Sequence, residues 1–236
     1  MKLLLIFILL AFNIYAKDLT FGVVPQQSPQ KILKAWKPIV EYLEKETGLK
    51  ISFKTERSIP TFEKKLYGGE YDIAYSNPYH YVVAHDKQNH IPIVRFNKKI
   101  VGILVTKKNS TIEKIDELKN KSFLFPAPKA FAATLLPKYE LLNQKNISIQ
   151  NFKYVNSHDS VYLGIQRGFG DIGGGILRTY NRFKGKNDLR IIHKTKGYPS
   201  HPISINKKLD KNVINKIIKA LLNMPSNLSN NINKKV

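Results

Sequence analysis

Cysteine is absent from all 236 residues, which excludes disulfides, thiolate metal sites, a cysteine nucleophile and a lipid-modified cysteine. Acidic residues are scarce: 17 Asp and Glu stand against 39 Lys and Arg, for a formal net charge of +22. Such an excess draws anionic partners through its long-range field, and nucleic acid or a membrane surface would be the usual candidates. Yet no run of five basic residues occurs, nor the aromatic-basic pattern of an RNA-binding strand. Dispersed lysines read as solvated surface, and no nucleic acid partner is expected. Long apolar runs are also missing, since the longest, Leu3 to Phe12, falls far short of the roughly 20 residues that a spanning helix needs. There is no G-x-S-x-G elbow, no G-x-x-x-x-G-K-[ST] loop and no H-E-x-x-H helix. His80, His85 and His90 recur every five residues, which turns them about 140° apart on a helix rather than onto one metal-binding face. Neither catalysis nor a metal or other cofactor is expected.

The N-terminus carries a signal of its own. Lys2 precedes the apolar run, and Asn13-Ile14-Tyr15-Ala16 follows it with a small residue before Lys17. Residues 1 to 16 therefore read as a cleavable secretory signal. With no cysteine to lipidate, the expected address is the bacterial periplasm, as a freely diffusing monomer.

From residue 17 onward, the chain alternates strands and helices. Leu19 to Val24 reads as a strand, the polar loop Pro25-Gln26-Gln27-Ser28 follows, and a helix is expected from Pro29 to Glu46. Ile32, Leu33, Trp36, Ile39, Val40 and Leu43 fall on its apolar face, and Gly48 stands where a C-cap belongs. A strand at Ile51 to Thr55, a short helix at Phe62 to Tyr67 and a strand at Tyr71 to Tyr75 complete a βαβαβ series, which implies a parallel, doubly wound sheet. Consecutive strands at Ile91 to Phe96 and Ile100 to Thr106 then lead into a second α/β series. That series places a strand at Ser122 to Phe125, a helix at Ala130 to Asn143, a strand at Phe152 to Val155, a helix at Asp159 to Arg167 and a strand at Asp171 to Gly175. Leu189 to His193 is its last strand, Thr195 to Ile205 reads as a return crossing, and Asn212 to Leu222 as a final helix. The expected organisation is α/β with two lobes: lobe I from 17–98 and 204–236, lobe II from 99–203, hinged at two crossings with a cleft between.

The stretch YDIAYSNPYHY, residues 71 to 81, runs an apolar strand into hydroxyl, amide and aromatic side chains. In open α/β sheets, ligands sit beyond the carboxyl ends of the strands. Pro78 suits a first helical turn, with Ser76 or Asn77 as its cap. An ordinary capped surface turn would read the same way. Tyr75, Tyr79 and Tyr81 can close over an organic substituent or simply pack. In FPAPKAFAA, Pro126 and Pro128 shape a turn and the small Ala127, Ala130, Ala132 and Ala133 let an oxyanion approach helix N-H groups. Lys129 either adds charge there or stays solvated. His158, between Ser157 and Asp159, is an anion donor titrating near neutrality or part of a helix cap. Gly173-Gly174-Gly175 admit close backbone approach, and Arg178 is either a bidentate anion clamp or a structural ion-pair partner.

The segments FGVVPQQSPQ, EYDIAYSNPYHY, LFPAPKAFAATLLP, YVNSHDSV and GDIGGGILRTY together resemble the PhnD family of phosphate, phosphite and phosphonate-binding proteins of ABC transporters. The resemblance runs in order from about residue 19 to 222. It implies a type II periplasmic-binding fold, no catalysis, a small oxyanion as ligand and an ABC permease in the inner membrane as partner. It further implies a site between the lobes, held by Gln26, Tyr75, Asn77, Tyr79, Lys129, Ala130, Phe131, His158, Gly174 and Arg178. Phosphonate binders of the family often carry Ser and Thr where this chain has alanines, which removes hydroxyl donors. The alternative with the same fold is a ligand-sensing protein that signals to a membrane-bound receptor kinase. The chain also ends earlier than is expected for the family.

Overall fold

Apolar strands that feed amphipathic helices build both halves of the chain. A computed structural model describes residues 18–228; the expected secretory signal lies outside them. The chain opens with β1 (Leu19–Val23), α1 (Pro29–Thr47), β2 (Ile51–Thr55), α2 (Ile59–Tyr67), β3 (Ile73–Tyr75), α3 (Pro78–Gln88) and β4 (His90–Arg95). It crosses over along β5 (Lys99–Lys107) into β6 (Phe123–Phe125), a π-helical turn (Phe131–Leu135) that runs into α4 (Leu136–Lys145), and β7 (Phe152–Tyr154). There follow α5 (His158–Arg167), β8 (Ile172–Ile176), α6 (Leu177–Arg182), β9 (Leu189–Pro199), β10 (Pro202–Asn206) and α7 (Lys211–Leu222).

Two five-stranded sheets result, ordered β2-β1-β3-β10-β4 and β7-β6-β8-β5-β9. The parallel reading of the βαβαβ series describes β1, β2 and β3, and equally β6, β7 and β8. It does not describe the strands that pass between lobes. β10 re-enters the first sheet between β3 and β4 and is antiparallel to both, and β5 is antiparallel to β8 and β9. A strand arriving from the other lobe enters its sheet from the opposite end, so the sheets are mixed.

The crossing also differs from expectation. The strand expected to stop at His193 continues to Pro199, pairing with β5 from Lys107↔Leu189 to Lys99↔Pro199. Only Ser200 and His201 then separate β9 from β10. The hinge is thus an antiparallel ribbon with two short connectors, stiffer than two free crossings.

Helix ends and faces follow local chemistry. Gly48 adopts φ 68° at the end of α1 and its N-H donates to the Glu44 carbonyl at 2.9 Å, a conformation that costs glycine least. Ile32, Trp36, Ile39, Val40 and Leu43 are buried, but Leu33 is 47% exposed because it falls one position off the 3.6-residue stripe. Ser58 and Asn77 cap α2 and α3. In the second sheet the two-residue period of β5 sorts its side chains: Ile103 and Val105 pack with Val161, Tyr162 and Ile165 of α5, while Leu104 packs with Phe123, Phe125 and Leu141. Each such side chain contributes roughly 1.5–3 kcal/mol on burial. The first lobe's core is continuous with Ala127, Ala130, Ala132 and Ala133 of the second, so the lobes meet on the π-helical turn. Among the described residues no helix is long and apolar enough to cross a membrane.

Candidate functional site

Three helix starts converge where the lobes face each other. From the first lobe comes α3, whose cap Asn77 accepts from the His80 N-H at 2.8 Å and turns its amide across the cleft to donate to the Lys129 carbonyl at 3.2 Å. The second lobe supplies the π-helical turn and α5. With Gln26, Ile59 and His201, these starts line a cavity through Asn77, the Ala130 to Ala133 stretch and His158.

The π-helical turn has a chemical cause. The Leu136 N-H bonds the Phe131 carbonyl, five residues back, rather than that of Ala132, and Pro137, next along, has no N-H to hold Ala133 in the α register. The expected α-helix from Ala130 therefore begins as a wider turn. Thr134 steadies it by donating its hydroxyl to the Ala127 carbonyl at 2.8 Å. The carbonyls of Ala132 and Ala133 lie against Gly102 and Gly174, where a Cβ would stand 2.0 and 2.2 Å from their oxygens. With the carbonyls pressed onto the sheet, the first N-H groups point the other way along the helix axis. Those of Phe131, Ala132 and Ala133 have no partner within their own helix, and they sit at its positive end. An oxyanion is the species such a helix start accepts.

Gln26 ties the lobes together. Its side-chain oxygen accepts from Arg178, its amide donates to His201 Nε2 at 3.0 Å, and its carbonyl accepts from the His158 N-H at 3.2 Å. Arg178 also donates to the Tyr75 hydroxyl at 2.7 Å. Tyr75 in turn stacks on His201 with centroids 5.3 Å apart and packs at 4.6 Å from Trp36. Farther out, Lys31 Nζ meets Asp159 Oδ2 at 2.7 Å. In this closed arrangement the cavity offers about 10 Å³ to the centre of a water-sized sphere, room for about one water.

The charge at the site comes from Arg178 and the helix starts, not from the histidines. Burial, and then the neighbouring Arg178, push the His158 imidazole down to about 3. Burial likewise holds His201 well below its ordinary value, with Arg178, His80 and His158 adding to the effect. Both rings are neutral at physiological pH. The Thr179 hydroxyl, which donates to the Ile176 carbonyl at 3.1 Å, stands 3.3 Å from His158 Nδ1, and a neutral ring offers one N-H donor.

A family model described as ABC transporter, phosphonate, periplasmic substrate-binding protein matches residues 21–234. The chain belongs to that family. A curated relative, the phosphonates-binding periplasmic protein of Escherichia coli (strain K12), is 23% identical over 223 residues, 88% of this chain and 66% of the relative. The chain thus spans just under two thirds of that relative's length. Among solved structures, PhnD1 from Prochlorococcus marinus in complex with methylphosphonate aligns with a TM-score of 0.83 at 19% identity, covering 92% of this chain and 89% of that one. A binding-protein component of an ABC phosphonate transporter from Pseudomonas aeruginosa aligns with a TM-score of 0.81 at 16% identity, covering 92% and 78%. The fold of this family member is therefore that of two-lobed periplasmic binding proteins.

Of the residues expected at the ligand, Gln26, Asn77, Ala130, Phe131 and His158 line the interlobe cavity. Tyr75 and Arg178 stand behind Gln26 as a hydrogen-bonded pair. Tyr79 is half-buried and outside the cavity lining; it stands beside Tyr67, whose phenol is raised chiefly by burial and further by Glu63 and Tyr79. Lys129 sends its ammonium over the Tyr67 ring, 5.5 Å from the centroid, and only its carbonyl reaches the cleft. Gly174 meets the Ala133 carbonyl rather than the cavity. The expectation that His158 titrates near neutrality is overturned, because the ring is only 2% exposed and charging it there is unfavourable. The histidines at 80, 85 and 90 take separate partners: Glu63, the His90 carbonyl, and Ser204 with the Tyr71 carbonyl. His201 was missed by sequence reasoning. It lies in the two-residue connector after Pro199, and no motif marks it.

Proposed function

We propose that this family member is a periplasmic solute receptor that captures a small phosphorus oxyanion, a phosphonate first, for uptake through an ABC permease. It binds without catalysis and works as a monomer. The observation that carries the reading is the convergence of the α3, π-helical and α5 starts on one interlobe cavity, beside Arg178. The match to the phosphonate family and the methylphosphonate bound by the Prochlorococcus neighbour agree with that chemistry.

With the lobes apart, the anion head meets the N-H groups of Phe131, Ala132 and Ala133. Alanine side chains keep that approach open while supplying no hydroxyls, so the backbone and the neutral His158 ring carry the contacts. As the lobes close, the head takes over the bonds that Gln26 makes across the cleft, and Arg178 supplies the countercharge. The test is calorimetric titration with methylphosphonate, phosphite, phosphate and sulfate. Binding of a phosphorus anion at about 1 μM or tighter, roughly −8 kcal/mol, with sulfate at least tenfold weaker, is the expected result. Absence of heat with every phosphorus anion would reject the reading.

A further inference from the structure

Beside the interlobe cavity lies a second, larger space. A pocket of about 160 Å³ opens against the hinge, walled by Lys98 just before β5 and Lys99 at its start, Ser200 after β9, and Arg178 and Asn181 of α6. Ile100, Ile176 and His201 line both spaces, so the pocket continues the cavity away from the helix starts. Its floor is apolar, through Ile100, Val101, Ile176 and Leu177, and its polar wall is cationic. No carboxylate is among the residues that line it.

We propose, resting on the phosphonate-receptor reading above, that this hinge pocket takes the substituent of an organophosphonate that ends in a second acid group. The phosphonate head stays at the helix starts, where space is small. A short carbon chain passes His201 over the apolar floor, and a terminal carboxylate meets Lys98, Lys99 and the edge of Arg178, with Asn181 and Ser200 as neutral donors. The volume suits a group of this size: on the measure by which about 10 Å³ of the interlobe cavity holds about one water, the pocket's 160 Å³ is ample for a carboxyalkyl substituent. A terminal ammonium finds the opposite situation: three cations and no carboxylate among the lining residues. The selectivity therefore lies in charge sign as much as in length.

The discriminating experiment is calorimetric titration with methylphosphonate, 3-phosphonopropionate and 2-aminoethylphosphonate, on the wild type and on the Lys98→Ala/Lys99→Ala double variant. Both lysines are exposed, and their removal leaves the folded core intact. In the wild type, 3-phosphonopropionate is expected to bind about tenfold or more tighter than methylphosphonate, and 2-aminoethylphosphonate no tighter than methylphosphonate. In the double variant this preference shrinks to about threefold or less while methylphosphonate affinity is unchanged. Equal affinities for methylphosphonate and 3-phosphonopropionate in the wild type, or a preference that survives in the double variant, would overturn the pocket assignment and leave the receptor reading standing. Binding of no phosphonate at all would overturn both.

Discussion

At the scale of single residues, the cleft is governed by polar groups whose charge burial has suppressed. His158, His201, His80 and His90 are all buried, and in each case burial is the first cause that lowers the imidazole. For His158 the folded ring titrates at about 3, against an ordinary 6.5. Between those values the unfolded chain binds more protons than the folded one, so stability rises with pH across that window and is level above about 6.5. Thermal melts from pH 7 to pH 5 should show the melting temperature falling. The variant His158→Gln, which cannot take up that proton, should fall less steeply; equal slopes would contradict the buried neutral ring. The sequence placed His158 in the loop ahead of a helix, whereas it is the first residue of α5, and its surroundings come from Thr179, Arg178 and Gln26, distant in the chain. Its loss of titration near neutrality was for that reason not legible.

Among the elements, the π-helical turn carries most of the proposed ligand contacts. Its position depends on two glycines in neighbouring strands, Gly102 of β5 and Gly174 of β8; Gly102 pairs with Ile176 and Gly174 with Leu104, each partner two residues from the other glycine. In Gly174→Ala the new methyl would collide with a backbone oxygen and the Phe125 ring, so the turn must lift off the sheet. Overpacking of this kind costs about 1–3 kcal/mol. A lower melting temperature and a loss of methylphosphonate affinity by about tenfold or more are expected from calorimetry; unchanged affinity would mean that the turn does not position the ligand. Much of this level was readable beforehand. Asn77 and Pro78 announced the α3 start, Gly48 the end of α1, and the three glycines a close approach in β8. The π register was not, because it arises from Pro137 acting on carbonyls that happen to face Gly102 and Gly174. Equally hidden was the antiparallel entry of β10, since a strand's direction in its sheet depends on the path of the whole chain rather than on its own residues.

On the scale of the whole molecule, two lobes share one ribbon hinge and close on a cavity bordered by helix starts. Beside the apolar seam at Ala130, Ala132 and Ala133, polar contacts hold them closed: Gln26 with Arg178, His201 and the His158 N-H, Arg178 with Tyr75, Asn77 with the Lys129 carbonyl, and Lys31 with Asp159. Polar contacts of that kind exchange readily for water, which suits the proposed receptor. In the proposed complex a phosphonate head sits in this cavity against the backbone N-H groups of the second lobe. Amide-resolved NMR during titration of the protein with methylphosphonate reads those groups one by one. Saturable shifts are expected at the amides of Phe131, Ala132, Ala133 and His158, with smaller ones along the hinge connectors. Saturable shifts confined to residues outside the interlobe cavity would contradict it.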